Sequence, residues 1–113
     1  SLPKRWRVPS RIAQSKDMSA ARVALGTVEI HLPDVGSLKG KRHILKSLKD
    51  RVRNRFEVAV AEVDHHDSWQ MATLAVACVS HDARHANTVV TKALDFIDAN
   101  VEGRVLGESI EIL

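Results

Sequence analysis

Between Arg22 and Leu113 the spacing of apolar residues switches between two residues and about 3.6, and the order of the switches restricts the fold more than any single residue does. The stretch RVALGTVEIHL (22–32) alternates. Ala24, Val28, Ile30 and Leu32 share one parity; Val23, Leu25, Thr27, Glu29 and His31 share the other, as in a strand with one core face. Pro33 and Gly36 mark a turn, and Ser37 is placed to cap a helix. Leu38, Leu45, Leu48, Val52 and Phe56 then fall on one side at helical spacing, with Ile44 on the flank, so the helix runs to about Asn54.

The period then returns to two. EVAVAEVD (57–64) is Val-rich and reads as a second strand, and WQMATLAVACVS (69–80) as a long third one, with Leu74, Val76 and Cys78 on one parity. The polar HHDS between them reads as a hairpin turn. Ser80 or Asp82 can cap a second helix over 82–99, whose stripe is Ala86, Val90, Ala93, Leu94 and Ile97. Asn100 and Gly103 end it, and RVLGESIEIL closes the chain as a fourth strand. The order β-α-β-β-α-β predicts an α+β, ferredoxin-like domain over 22–113, with two helices on one face of a four-stranded antiparallel sheet. Residues 1–21 have no steady hydrophobic period and contain Pro3 and Pro9. They read as a mobile basic extension, and Met18 before Ser19-Ala20-Ala21 reads as a natural start that would make the preceding residues upstream sequence.

The chain's 113 residues suffice for one domain, and its 44% apolar content for a core. No apolar run approaches the ~18 residues of a membrane span. The N-terminus lacks the apolar core of a secretory signal, and Cys78 is the only cysteine, so a cytoplasmic protein without disulfides is expected. Net charge is only +3, but it is unevenly spread: +4 over residues 1–17, −1 over 18–38, +7 over 39–55 and −7 over 56–113. Such asymmetry points to a polyanion partner.

The first helix holds most of this charge. At ~100° per residue Lys39, Arg42, Lys46, Lys49 and Arg53 fall in one ~80° sector, a ridge ~21 Å long. Like charges at i,i+4 disfavour an isolated helix, and cations in its first turns meet the positive end of the macrodipole. A ridge that binds phosphates would account for this, with free N–H groups near Ser37 and Leu38 adding anion contacts; a merely solvated helix face is the plain alternative. The candidate contacts are Lys39, Lys41, Arg42, Lys46, Lys49 and Arg53, with Arg51 and Arg55 secondary on other sides of the helix.

The face of the sheet away from the helices argues against base readout. Strand one offers Leu25, Thr27, Glu29 and His31 there, and strand three offers Trp69, Met71, Thr73, Ala75 and Ala77. One Trp near a strand end is not a stacking platform. Leu25, Met71 and the alanines also suit a homodimer through this face. Asp64, His65, His66 and Asp67 suggest metal ligands, but neighbouring residues on a strand point oppositely, and a polar turn is the plainer reading. Cys78, on the apolar parity, reads as a core residue, and Glu62 and Glu108 as strand-end or edge residues. There is no P-loop, dinucleotide fingerprint or Ser/His/Asp set, so no catalytic residue, metal or cofactor is expected.

Ser37-Leu38-Lys39, Lys41-Arg42, Arg53-Asn54-Arg55-Phe56, Ala61-Glu62-Val63-Asp64-His65 and Trp69-Gln70, taken together, resemble the YlxP-like proteins, short bacterial proteins without an assigned activity. The likeness runs from about residue 22 to 113. At Gly40 that family more usually has an acid, as in a capping box. The resemblance implies a ferredoxin-like fold and assigns no catalytic residue. Family genes often lie beside those of a translation initiation factor and a ribosome-binding maturation factor, which implies RNA or a ribosomal particle as partner. The expectation is therefore a non-enzymatic RNA- or ribosome-associated protein, acting in ribosome maturation or translation. The alternative is a homo-oligomeric regulatory or scaffold domain whose basic ridge docks an acidic protein.

Overall fold

The alternation over 22–32 becomes strand β1 (Arg22–His31), with Ala24, Val28 and Ile30 fully buried on one face. The structure, a computed structural model, describes residues 20–113; the mobile extension expected over 1–21 lies almost wholly outside them. Helix α1 (Leu38–Arg55) follows, then β2 (Ala59–Asp64), β3 (Met71–Ser80), α2 (Ala83–Asn100) and β4 (Arg104–Ile112). All neighbouring strands pair antiparallel in the order β2-β3-β1-β4. This is the ferredoxin-like arrangement that the alternating periods imply.

Both helix starts are set by side-chain caps. Ser37 Oγ accepts from the Gly40 N–H at 3.0 Å, and Asp82 Oδ1 accepts from the Arg84 N–H at 2.9 Å. Ser80, the other candidate, instead accepts from the Asp82 N–H at 3.1 Å. The central register sets Val28 opposite Leu74 and Ile30 opposite Ala72, so the two inner strands present one continuous apolar surface. Leu45, Leu48 and Val52 of α1 and Ala86, Val90, Ala93, Leu94 and Ile97 of α2 cover it. Gly26 lets α2 lie close: a Cβ there would stand 2.5 Å from Val90 Cγ1.

Two departures from the sequence reading bear on the site. Leu38 and Phe56, at the ends of the expected α1 stripe, are only half-buried, whereas Lys41 is buried with 1% of its surface exposed. Phe56 terminates the helix and packs edge-on against Phe96 of α2, with centroids 5.8 Å apart. The second departure is a register shift between Glu62 and Asp64, which leaves Val63 half-exposed. Neither described helix is long and apolar enough to cross a membrane.

Candidate nucleic-acid interface

Helix α1 puts its cations in three different environments. Lys39, Arg42 and Lys49 make no ion pair or side-chain hydrogen bond among the described residues; the first two are exposed and Lys49 is half-buried. Lys46 is exposed and donates to Asp50 Oδ2 at 2.8 Å one turn on. Arg53, at the C-terminal end of the ridge, reaches Asp50 Oδ1 at 3.4 Å and donates to the Val60 carbonyl of β2 at 2.6 Å. The ridge thus borders the outer edge of β2 and contains one carboxylate. The Lys46 hydrogen bond, helped by the charges of Lys46, Arg53 and Lys49, holds Asp50 below its ordinary value of 3.8.

Lys41 does not belong to this surface, contrary to the expectation that it contacts phosphates. Its ammonium donates to the carbonyls of His65 at 2.5 Å and Ser68 at 2.7 Å, and Nζ lies 2.9 Å from Glu62 Oε2. Two hydrogen bonds and one ion pair thus compensate the burial of the charge. Oε2 of Glu62 is itself buried without a hydrogen-bond partner among the described residues, so the Lys41 charge holds it. Glu62 therefore does more than end a strand: with Lys41 it ties the start of α1 to the β2–β3 turn.

That turn carries the two adjacent histidines. His65 sits in the left-handed region at φ 64°, and the Ser68 N–H donates to its carbonyl at 3.0 Å. His65 Nε2 lies 3.9 Å from Glu29 Oε1, and His66 Nε2 is 3.1 Å from the Glu62 carbonyl. Their nearest polar partners differ, and among the described residues no three His, Cys, Asp or Glu side chains are grouped to hold a metal ion. Cys78 is buried, and desolvation, helped by the charge of Glu57, raises its thiol above the ordinary value.

Arg51 and Arg55 lie on the flank of α1 that faces α2. Both guanidinium groups stand over the Phe96 ring, at 5.5 and 5.3 Å from its centroid, and Arg51 donates to Asn100 Oδ1 at 2.8 Å. They are thus separated from the ridge. Trp69 is half-exposed at the end of the β2–β3 turn, away from the middle of the sheet.

Residues 23–110, well over half of the chain, match the family described as "Protein of unknown function (DUF503)". The chain belongs to the DUF503 family. It is also similar to the "Uncharacterized protein YlxP" of Bacillus subtilis (strain 168), with 34% identity over 77 residues that span 68% of this chain and 84% of the relative. The DUF503 match takes in the Lys41–Glu62 pair and every cation of α1.

Proposed function

We propose that this DUF503 protein binds RNA through the outer flank of α1, with Lys39, Arg42, Lys46 and Lys49 as phosphate contacts and Arg53 at the border. One observation carries the reading. A ridge of five cations includes a single carboxylate, and three of the five have no partner among the described residues. Apart from Arg53, which bonds the Val60 carbonyl, nothing in the packing of α1 calls for this charge, because the buried stripe of Leu45, Leu48 and Val52 secures the helix. Cations along one helix flank fit a charged backbone, whose neutralisation releases counterions.

The open sheet face lends no stacking surface: its inner strands present Leu25, Thr27, Ala75 and Ala77 at their centre. The contact therefore reads backbone and shape, with little preference for base sequence. Association with ribosomal particles is the cellular form of this reading, and an acidic protein is the competing ligand class.

Sedimentation of cell extract with and without ribonuclease tests it. The protein should travel with ribosomal particles and return to the light fractions once accessible RNA is digested. Comigration that survives ribonuclease, through a protein partner alone, would favour the competing class. A protein that stays in the light fractions throughout would end the ribosomal reading.

A further inference from the structure

The two edges of the sheet end differently. β2 has six residues, a register shift at Val63, and the Arg53 guanidinium on its Val60 carbonyl. These are the devices by which natural proteins shield an edge. β4 has nine residues, RVLGESIEI, with neither Lys nor Pro; its own register shift falls early, at Leu106, so Gly107 to Ile112 stay regular, and no described strand pairs with their outer side. The Leu113 N–H donates to the Val23 carbonyl at 2.8 Å. Antiparallel ladders alternate, so Glu111 and Ser109 also turn their backbone groups toward β1, while Glu108, Ile110 and Ile112 turn theirs outward.

The side chains of those outward-bonding residues are informative too. Ile112 pairs with Ala24, Ile110 with Gly26 and Glu108 with Val28, so all three lie on the helix-covered face. Even so, Ile110 and Ile112 are 36% and 40% exposed, with Leu106 and Leu113 at 49% and 61% beside them. Most of the large exposed apolar side chains of the described residues are thus gathered on this one edge.

We propose that β4 pairs antiparallel with β4 of a second copy, about a two-fold axis through Ile110. This register is self-complementary. The outward backbone groups of Ile110 meet those of Ile110 in the second copy, and those of Glu108 meet those of Ile112. On the open face Ser109 stands opposite Glu111, whose carboxylate accepts from the hydroxyl, and no charge directly opposes its like. On the other face the isoleucines of both copies cluster in the trough between the two α2 helices. The register shift opposite Glu29 and Ile30 leaves Leu106 without a partner in β1 and bounds the regular segment at Gly107. An unrelated extended peptide would match the backbone but not this symmetry.

Size sets the strength. Seven paired residues at ~3.4 Å each give a contact ~24 Å long and ~10 Å deep, roughly 250 Å² per copy. That is well under the ~800 Å² per partner of a standard stable complex, so the dimer is weak and depends on concentration.

The test is sedimentation velocity of nuclease-treated full chain from about 1 µM to about 1 mM, spanning weak affinities. Nuclease removes association bridged by RNA, so failure here leaves the RNA reading intact. The average mass should rise from one chain toward two. The exposed-edge variant Ile110→Lys/Ile112→Lys should stay monomeric throughout, and Ala61→Glu/Val79→Glu, on the open sheet face, should dimerise like the parent. Hydrogen exchange on the unmodified protein gives a second readout: the Ile110 and Ile112 amides should slow as concentration rises. A monomeric parent at every concentration overturns the proposal. So does an edge variant that dimerises as well as the parent, loss of the dimer in the face variant alone, or exchange indifferent to concentration.

Discussion

The inner and outer flanks of α1 treat the same residue type in opposite ways. Lys41 and Lys46 are five residues apart. One is enclosed by the His65 and Ser68 carbonyls and the Glu62 carboxylate, and the other stands in solvent beside Asp50. The inner lysine is part of the fold, because it ties the helix to the β2–β3 turn. The outer one leaves the fold nearly indifferent. Charge on a helix can thus serve structure or a partner, and surroundings decide which.

Removing each group in turn tests that division, and the largest effect belongs to the inner flank. Lys41→Ala should destabilise the protein by about 3 kcal/mol or more, because it strands a buried carboxylate and the Ser68 carbonyl and leaves the His65 carbonyl with the Ser68 N–H alone. Urea unfolding measures this, and Lys41→Met combined with Glu62→Leu should cost much less than the two single changes summed. Arg53 should fall between the flanks. Arg53→Ala uncovers the Val60 carbonyl at the sheet edge and should cost about 1 kcal/mol in the same assay. A cost near that of Lys41→Ala would move Arg53 into the structural group.

Lys46→Ala should change stability by less than about 0.5 kcal/mol, as exposed pairs usually do. The smallest effect is that of Asp50. Its folded carboxyl is held below 3.8, so its contribution is present above that value and fades as pH falls through the lowered one. Comparison of Asp50→Asn with the parent by thermal melts should show a slight deficit near neutral pH that vanishes in acid.

How much of this could be read beforehand differs between fold and site. The strands and helices were legible because the period of Ala24, Val28 and Ile30 differs so plainly from that of Leu45, Leu48 and Val52. The ends were less so: Trp69 and Gln70 look like strand but belong to the turn, where the Gln70 carbonyl accepts from the Leu32 N–H. The ridge of Lys39, Arg42, Lys46, Lys49 and Arg53 could be placed on one flank from helical spacing. That Lys46 and Arg53 share Asp50 was foreshadowed by its position, but the bond from Arg53 to Val60 needed the tertiary structure.

The burial of Lys41, at odds with a phosphate contact, has a signal in the sequence. At ~100° per residue the lysine lies within ~20° of both Leu48 and Val52, in the middle of the apolar stripe. Its basic neighbours in the chain, Lys39 and Arg42, mask its place on the helix. Its partner Glu62, on the core-side parity of β2, was the matching signal, since two opposite charges at inward positions imply a pair. The pairing itself joins residues 41 and 62 across a helix and a loop, and no local pattern encodes it.

The central claim is that the outer flank of α1 meets a polyanion, and the salt dependence of RNA binding by the parent and by Lys39→Glu/Arg42→Glu tests it most directly. Both substitutions place carboxylates in the first two turns of α1, where the macrodipole favours them, so the variant keeps its fold. Four phosphate contacts predict a log–log slope of about −3 for single-stranded RNA, and loss of two should flatten it by about 1.4 and weaken binding at every salt concentration. Equal affinity and equal slope in parent and variant would contradict the account.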